Sequence, residues 1–405
     1  MVLKIGVLSI SWLPQFGGAE KYAYNMVNEL SKLGIDIVGI TPSQNKAGKA
    51  NGEENLVVRL YDDTTGDISN NDAEGIFEWW NTHAKNHIVD EGYDIIIFNN
   101  FRHIHHYLKN LFMDLHYHKI KCGIIQHDLG LKIRKELVQN YHELNDWELS
   151  AQKVEESQHN IWDKIASLNN DLTTVEDMGF IFESPLYFNP DFIITNTEWT
   201  KRFLDIKNQI PKYNLHPIIE EPTSFTAKLS KVNITMINPM YHKGRSYMAD
   251  LINDYDHKWT YRVLLGFSGN DKNKEFMSMI EDSWALKEGR VDILEYVEDI
   301  YSAYHATDIF VFPSRYEGYG MAAVEPMLIG KPVIVQDYPS IIEAVGDSAY
   351  TIKWGSSSKE WLEAVEELLY DDEEYVEKSL NRAKELEVRK HEELLGLIDF
   401  MEKLL

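Results

Sequence analysis

Two glutamates, Glu317 and Glu325, flank a glycine-containing turn that could bind a polar ligand. The turn follows an apolar, β-branched run at 309–312 that predicts a strand, and it precedes a helical segment ending near Gly330. Free N–H groups at the helix start, in the turn Gly320-Met321-Ala322, could hold an anion, and carboxylates accept hydrogen bonds from sugar or ribose hydroxyls. From the glycines alone, a generic strand-to-helix turn with two solvated acids is the better interpretation.

A second glycine turn follows the first predicted strand, which covers residues 3–11. Gly17 and Gly18 come directly before apolar residues at helical spacing, and a further strand over 35–40 completes a βαβ unit. Glycines at such a turn let the backbone approach a ligand closely. Because the spacing differs from that of the dinucleotide fingerprint and of the P-loop, it predicts neither a nicotinamide nor an ATP site.

Two more candidate residues follow predicted strands. His127 comes just after a strand over 122–126, and Lys243 lies in the turn after a strand over 232–237. Open α/β sheets bind ligands at the carboxyl ends of their strands, and this favours His127 as a ligand contact. A structural histidine, satisfied inside the protein, is the competing interpretation.

The segment 101–121 is rich in histidine and raises the question of a metal site. No carboxylate or cysteine partner recurs there at a ligand spacing, so the sequence predicts no metal. The apolar residues fall on one helical face, as in a helix packed on a sheet. Contact of this basic, aromatic helix with a membrane surface is an alternative that the acidic net charge disfavours. The histidines are His103, His105, His106, His116 and His118.

The composition limits the class of protein. The 405 residues include 40 Lys and Arg against 65 Asp and Glu, a net charge of −25, which repels nucleic acid and anionic lipid on average. The single cysteine, Cys122, excludes an intramolecular disulfide framework and fits a reducing compartment. No secretory or membrane-spanning segment is evident. We therefore expect a cytoplasmic protein.

The length and the order of elements predict two α/β domains. Two runs of alternating strands and helices are separated by a polar, proline-containing stretch at 217–230 that is typical of a linker. We expect an N-terminal domain over 1–220, a C-terminal domain over 221–385 and a last helix, at about 386–405, that packs back on the first domain. The acidic stretch 129–190 could carry acceptor contacts or cap the sheet.

The order of these motifs resembles that of retaining glycosyltransferases with the GT-B fold, the large family often numbered 4. The most specific match is the pair Glu317-x7-Glu325 within the sequence PSRYEGYGMAAVEPM. Gly17-Gly18-Ala19-Glu20, Gln126-His127-Asp128 and Lys243-Gly244 follow the family order over nearly the whole chain. The resemblance implies two Rossmann-like domains that face each other across a cleft holding a nucleotide-diphosphate sugar.

The resemblance also implies a role for each candidate residue. Glu325 would bind the ribose hydroxyls, Glu317 would orient the sugar hydroxyls, and Lys243 would neutralise the diphosphate of a UDP or GDP sugar. His127 would face the donor sugar. The family uses no divalent metal, and no cofactor is implied. The other implied donor-binding residues are Gly17, Gly18, Asn238, Val297, Gly318, Tyr319, Gly320, Met321 and Ala322.

Asn238 departs from the family pattern, because an arginine usually stands at this position. Asn can hydrogen-bond a phosphate but has no charge, so stabilisation of the leaving group rests more on Lys243, on helix-end amides and on nearby Arg245. We expect retention, with the acceptor hydroxyl attacking the face that the diphosphate leaves and the leaving phosphate taking its proton. A covalent step through Glu317 is the second option.

The acceptor stays open, as a glycan, a lipid-linked sugar or a small molecule. Three alternatives share the fold. A catalytically weak or inactive protein that binds nucleotide sugars, or serves as a partner subunit, is an alternative that Asn238 leaves open. A phosphorylase would need a pyridoxal-phosphate lysine or an added anion site, and no distinctive signal for either is evident. A transferase that modifies nucleic acid is disfavoured by the charge of −25.

Overall fold

A computed structural model describes two compact units of the chain. Unit 1 consists of Met1–Gly130, Glu183–Ile218 and Arg389–Leu405, and unit 2 of Leu131–Phe182 and Ile219–Val388. The described residues are 3–9, 12, 17–42, 56–60, 73–99, 105–127, 131–133, 180–182, 190–205, 210–219, 228–240, 243–254, 258–266, 270–295, 297, 299–314, 317–353 and 355–405. Most of the stretch 129–190, with its predicted acceptor contacts, lies outside them.

The elements alternate between strands and helices, as the sequence predicts. Up to residue 219 they are β1 (Lys4–Ser9), α1 (Gly18–Lys32), β2 (Asp36–Thr41), β3 (Val57–Arg59), α2 (Ala73–Trp79), a π-helical turn (Trp80–Ala84), α3 (Lys85–Glu91), β4 (Ile95–Asn99), α4 (His105–Tyr117), β5 (Lys121–Gln126), β6 (Leu131–Ile133), β7 (Phe180–Phe182), β8 (Phe192–Thr195), α5 (Glu198–Asp205) and β9 (Lys212–Asn214).

The remaining elements form the second alternating run and the last helix. They are β10 (Val232–Ile237), α6 (Arg245–Asn253), β11 (Tyr261–Leu264), α7 (Asn270–Ile280), α8 (Trp284–Lys287), β12 (Val291–Leu294), α9 (Ile300–His305), β13 (Thr307–Phe312), α10 (Met321–Met327), β14 (Val333–Gln336), α11 (Pro339–Val345), β15 (Tyr350–Ile352), α12 (Ser358–Tyr370) and α13 (Glu373–Glu402).

Unit 1 contains a parallel seven-stranded sheet in the order β3-β2-β1-β4-β5-β8-β9. The side chains of β4 show why its first four residues are apolar. Ile95 and Ile97 pack in the core on one face of the sheet, and Ile96 and Phe98 pack in the core on the other. Because successive strand residues point to opposite faces, a strand covered on both faces needs apolar side chains at every position.

The end of α13 belongs to unit 1. Leu394, Leu397 and Met401 recur at helical spacing and are buried in the core beside β1 and β4. Glu393, one residue earlier, accepts hydrogen bonds from His216, at 2.8 Å from the backbone N–H and 2.5 Å from Nδ1. A buried polar contact therefore fixes this helix end against the chain that follows β9.

Helix α4 carries the described part of the histidine-rich segment. Leu111, Phe112 and Leu115 lie in the core of unit 1, so the prediction of a helix packed on the sheet is confirmed. Met113 and Tyr117 are exposed on its other side. Among the described helices, none combines the length and the apolar character that a membrane crossing requires.

Unit 2 contains a parallel six-stranded sheet in the order β12-β11-β10-β13-β14-β15, and β6 pairs with β7 in a separate antiparallel pair. Ile234 and Met236 of β10 lie in one core with Ile309 and Val311 of β13. Trp361 of α12 is fully buried in the same core. Both units thus have the Rossmann-like layering of helices and parallel strands.

We predict that the contact between Glu393 and His216 stabilises the end of α13 against local unfolding. In Glu393→Gln the carboxylate charge is lost and one buried partner of His216 is weakened, at a cost of roughly 1–3 kcal/mol. We expect amide hydrogen exchange in residues 389–405 to become roughly 5- to 150-fold faster. Exposed Glu392→Gln, on the same helix, is the matched control. Equal exchange in both variants would contradict the role of the buried pair.

Candidate functional site

Strands β10 and β13 are neighbours in the sheet of unit 2, and the strand order changes direction between them. From β10 the chain continues through α6 to β11 on one side, and from β13 through α10 to β14 on the other. The loops after two such strands diverge and leave a crevice at their carboxyl ends. Lys243 lies in the first loop and Glu317 in the second, so both predicted residues reach this switch point.

Lys243 and Glu317 contact each other directly. The Lys243 Nζ forms an ion pair with the Glu317 Oε1, which also accepts a hydrogen bond of 2.8 Å from Ser314 Oγ. Ser340 Oγ, in α11, donates at 2.8 Å to the Glu317 backbone carbonyl. Both members of the pair are largely buried, with 22% and 12% of their side chains exposed. The carboxylate is therefore held by two side chains while its backbone is held by a third.

Gly244 explains how the lysine loop comes so close to the glutamate loop. Its φ of +77° is in the left-handed region, and a Cβ there would lie 2.2 Å from the backbone oxygen of Pro313. Any larger residue would push the turn after β10 away from the end of β13. The side chain of Lys243 also lies over the ring of Phe312, with 6.0 Å between Nζ and the ring centroid.

The predicted glycine turn before α10 is confirmed as a structural feature. Gly320 precedes the helix with a φ of +89°, and its carbonyl accepts a hydrogen bond of 2.9 Å from the N–H of Ala323. Tyr319 is buried, whereas Gly318, Met321 and Ala322 are partly exposed. Of the five residues of this turn that are predicted to contact a donor, Gly318, Met321 and Ala322 are therefore accessible in part, whereas Tyr319 and Gly320 are buried.

Glu325 has a different environment from Glu317. It is only 8% exposed, and its Oε2 accepts a hydrogen bond of 2.7 Å from the hydroxyl of Tyr304, in α9. Burial, followed by the charge of Glu325, raises the pKa of Tyr304 well above its ordinary value, so the hydroxyl keeps its proton and acts as the donor. The two glutamates of the Glu317-x7-Glu325 pair therefore have different partners. Glu317 contacts Lys243, Ser314 and Ser340, whereas Glu325 contacts Tyr304.

Asn238 follows β10 directly and has an unusual backbone, with a φ of +52°. Its N–H donates to the carbonyl of Leu264 at 2.8 Å, and its Oδ1 lies above Gly266, where a Cβ would be 1.9 Å away. The Oδ1 is buried and has no hydrogen-bond partner among the described residues. Arg245, the other predicted source of charge, forms an ion pair with Glu275.

Val297 lies in the loop between β12 and α9 and is partly exposed. Because β12, β11 and β10 run parallel, this loop leaves the same edge of the sheet as the lysine loop. The residue predicted to contact the base is thus at the same edge of the sheet as Lys243, at the carboxyl ends of the strands of unit 2.

Unit 1 has its own polar cluster at the carboxyl ends of four strands. Asn99, at the end of β4, donates to Ser9 Oγ of β1 at 3.0 Å, and its Oδ1 lies 2.6 Å from Nε2 of His127. The backbone carbonyl of His127 accepts a hydrogen bond of 2.6 Å from Asn196, beyond β8. The ring of His127 meets that of Tyr22 edge to face, with 5.2 Å between centroids. His127 is therefore held from several directions and stays partly exposed.

The two glycines at the start of α1 differ in their surroundings: Gly17 precedes the helix, and Gly18 is its first residue. A Cβ at Gly17 would lie 2.1 Å from Oε2 of Glu20, whereas a Cβ at Gly18 would meet no described residue within 4 Å. The side chain of Glu20 thus fills the space beside Gly17. The sequence shows that Glu20 follows the glycines closely. It does not indicate that the side chain of Glu20 folds back over Gly17.

Sequence reasoning gave no site role to Asn99, Ser314 or Tyr304. Asn99 could have been found because it is the polar last residue of an otherwise apolar strand, and Ser314 because it follows the apolar end of β13 by two residues. Tyr304 could not, because its partner Glu325 is 21 residues away and both lie on helices. The structure brings Lys243 and Glu317 together in unit 2, and places His127 with Asn99 in unit 1.

Residues 236–386 match the protein family described as Glycosyl transferases group 1. The chain is 42% identical over 64 residues to an O-antigen chain mannosyltransferase B of Escherichia coli, covering 15% of this chain and 17% of that protein. It is 30% identical over 135 residues to a Campylobacter jejuni N,N'-diacetylbacillosaminyl-diphospho-undecaprenol alpha-1,3-N-acetylgalactosaminyltransferase, covering 33% of this chain and 34% of that protein. The matched regions thus span only 17% and 34% of the length of these two curated relatives.

The fold has close counterparts among solved structures. The structure of HepE from Anabaena in complex with UDP and glucose superposes with a TM-score of 0.65, at 14% identity, and covers 99% of this chain and 100% of its own. The family match lies wholly within unit 2 and includes Asn238, Lys243, Glu317 and Glu325. The chain therefore has a GT-B fold of two Rossmann-like α/β units, and its second unit carries a Glycosyl transferases group 1 domain.

Proposed function

We propose that this protein transfers a sugar from a nucleotide-diphosphate sugar to an acceptor hydroxyl, with retention of the anomeric configuration. The observation that carries the proposal is the pair of Lys243 and Glu317 at the switch point of unit 2, with Ser314 on the same carboxylate oxygen. A cation and a fixed carboxylate at one crevice suit a ligand that is anionic at one end and rich in hydroxyls at the other.

Lys243 would bind the diphosphate. Its ammonium group has three donors, so it can bind a phosphate oxygen and keep its contact with Glu317. Bond cleavage at the anomeric carbon adds negative charge to the leaving diphosphate, so the lysine interacts more strongly in the transition state than in the ground state. This charge stabilisation is our reason to propose a reaction that needs no divalent metal.

Glu325 would hold the ribose of the nucleotide. One of its carboxylate oxygens accepts from Tyr304, which fixes the side chain, and carboxylate oxygens accept hydrogen bonds well from hydroxyls such as those of ribose. The hydrogen bond from the Tyr304 hydroxyl orients the buried Glu325 carboxylate, so no neighbouring cation is needed to hold it in place. The exposed turn residues Gly318, Met321 and Ala322 are proposed to contact the sugar and phosphate of the same donor.

The contacts of Glu317 support an orienting role over a covalent one. Lys243 and Ser314 share the same oxygen, Oε1, and hydrogen bonding of this kind makes a carboxylate a weaker nucleophile. We therefore favour attack by the acceptor hydroxyl on the face that the diphosphate leaves, with the leaving phosphate taking the proton. Glu317 would position the sugar hydroxyls during that step.

His127 is proposed to contact the transferred sugar, as the resemblance implies. Its contacts with Asn99 and Tyr22 hold the ring in one orientation, as is expected of a residue that positions a substrate. Gly18, where an added Cβ would meet none of the described residues within 4 Å, is proposed as the phosphate-side contact of unit 1. A cytoplasmic location, based on the lone Cys122, stays a prediction.

The names of the relatives narrow the substrates that we propose. One is described as a mannosyltransferase of an O-antigen chain and another acts on a diphospho-undecaprenol-linked sugar, while HepE binds UDP. We propose a UDP or GDP sugar as donor and a sugar hydroxyl, free or lipid-linked, as acceptor. The names do not decide between the two nucleotides.

Asn238 favours the second candidate, a protein that binds nucleotide sugars with little or no turnover. The residue brings no charge, and its Oδ1 is buried without a partner among the described residues. If Arg245 stays paired with Glu275, Lys243 is left as the main cation for the leaving group.

The test is incubation of the full chain with a panel of UDP and GDP sugars. We expect slow release of the nucleoside diphosphate from one donor, and the newly released sugar should have the anomeric configuration of that donor by proton NMR. Saturating donor at a hundred times its dissociation constant should also stabilise the protein by roughly 2.7 kcal/mol. Stabilisation without turnover would favour the second candidate, and neither effect with any donor would overturn both.

We predict that substitutions of Lys243 and of Glu317 change ligand binding and turnover in different ways. Lys243→Gln removes the charge that meets the diphosphate, so nucleoside diphosphate affinity should fall about 10- to 100-fold while nucleoside affinity is unchanged. Glu317→Gln should lower turnover about 100-fold or more but leave diphosphate affinity equal or higher, because it removes a competing negative charge. Calorimetry and donor turnover measure both, with exposed Glu363→Gln as control. Equal losses in the two variants would count against this division.

We predict that the hydrogen bond from Tyr304 holds the Glu325 carboxylate in the orientation in which it would bind ribose. Tyr304→Phe removes only the hydroxyl, so the buried carboxylate loses a donor and nucleotide affinity should fall by about tenfold. The nucleoside should be affected as much as the nucleoside diphosphate, in contrast to Lys243→Gln. Tyr370→Phe makes the same change at a residue that is 93% exposed. Unchanged nucleoside and diphosphate binding in Tyr304→Phe would contradict the assignment.

A further inference from the structure

Three residues that are far apart in sequence meet at the amino ends of two neighbouring strands of unit 1. His116 lies near the end of α4, Cys122 is the second residue of β5, and Asp191 comes directly before β8. Because β5 and β8 pair in parallel, their first residues share one edge of the sheet. Helix α4 ends beside that edge.

The side-chain atoms of these residues form a compact triangle. His116 Nε2 lies 2.9 Å from Asp191 Oδ2, Cys122 Sγ lies 3.1 Å from His116 Nε2, and Sγ lies 3.5 Å from Oδ2. The ligand atoms of a tetrahedral zinc site, with bonds of about 2.0–2.3 Å, lie roughly 3.3–3.6 Å apart. The observed separations are shorter by at most about 0.5 Å. A small outward movement would therefore admit the ion.

Further contacts orient two of the three side chains. Asp191 Oδ2 accepts a hydrogen bond of 2.8 Å from the N–H of Cys122, and Oδ1 lies 3.3 Å from Lys121 Nζ. The Asp191 carboxylate is therefore fixed in orientation, as supporting contacts fix the ligands of metal sites.

Access and charge also fit a cation. The side chains of His116 and Asp191 are 39% and 20% exposed, so an ion can enter from solvent, while Cys122 is fully buried behind them. Metal binding to a cysteine releases the thiol proton, and a bound divalent ion would balance the charge of the resulting thiolate.

We propose that His116, Cys122 and Asp191 bind a divalent transition metal, with Zn²⁺ as the preferred ion. A thiolate and an imidazole select zinc-like ions over Mg²⁺ and Ca²⁺, which prefer oxygen ligands. Three protein ligands leave the fourth tetrahedral position for water.

The metal site is separate from the proposed donor chemistry. Cys122 and His127 lie at opposite ends of β5, five residues and about 16 Å apart along the strand. The metal therefore joins the end of α4 to the first residues of β5 and β8, and its role is structural. It takes no part in the reaction proposed above.

Cobalt gives a direct test, because Cys122 is the only cysteine in the chain. Full-length, reduced protein is titrated with Co²⁺ alone. We expect a near-ultraviolet thiolate-to-cobalt charge-transfer band, and visible bands of tetrahedral Co²⁺, that saturate at one ion per chain and disappear when Zn²⁺ is added. Absence of the charge-transfer band in the wild-type protein would overturn the proposal, and the three residues would then be an ordinary hydrogen-bonded cluster.

Variants separate this site from a surface histidine. His116→Gln should weaken Co²⁺ binding about 100-fold or more, whereas exposed His118→Gln should bind like the wild type. Zn²⁺ should raise the melting temperature of the wild type and of His118→Gln, but not of His116→Gln. Asp191→Asn gives a second test if His116→Gln does not fold. A charge-transfer band that persists at full affinity in either ligand variant would contradict the assigned ligands.

Discussion

Parallel backbone pairing is the constraint on which the rest of this structure depends. Buried N–H and C=O groups must be paired, and in unit 2 strand β10 meets this need by pairing with β11 on one side and β13 on the other. All carboxyl ends then lie at one edge, and the apolar strands leave only the loops there for polar side chains. Lys243 and Glu317 can meet because their two loops leave the adjacent strands β10 and β13.

The ion pair of Lys243 and Glu317 also compensates the positive charge of a lysine that is largely buried. A partly buried lysine without a partner would be costly, because its charge is only incompletely solvated. The glutamate neutralises it, and Ser314 satisfies the same oxygen of that carboxylate. In our proposal the diphosphate then adds to an existing charge arrangement, so the site needs little rearrangement on binding.

In unit 1, polar side chains at the carboxyl ends of the strands are connected by hydrogen bonds to the last helix, α13. Thr195 donates to Asn214 at 3.1 Å, Asn214 lies 3.2 Å from the Nδ1 of His216, and His216 contacts Glu393 of α13. Asn196, the residue after Thr195, donates to the carbonyl of His127. The last helix thus supports the strand end that carries the proposed sugar contact, although it is remote from His127 in sequence.

Local patterns determined the fold class and most positions of the candidate site, because a parallel strand followed by a loop and a helix is encoded within about twenty residues. The alternation of elements, the lysine turn and the glycine turn at Gly320 follow from the sequence alone. Only the tertiary structure decided which side chains become partners: Tyr304 for Glu325, and Cys122 and Asp191 for His116. The sequence predicted no metal site around His116, since Asp191 lies 75 residues away and meets it through the pairing of β5 with β8. The spacing of apolar residues in the sequence predicts a single helix or strand. Contacts between residues of different elements depend on how those elements pack against one another.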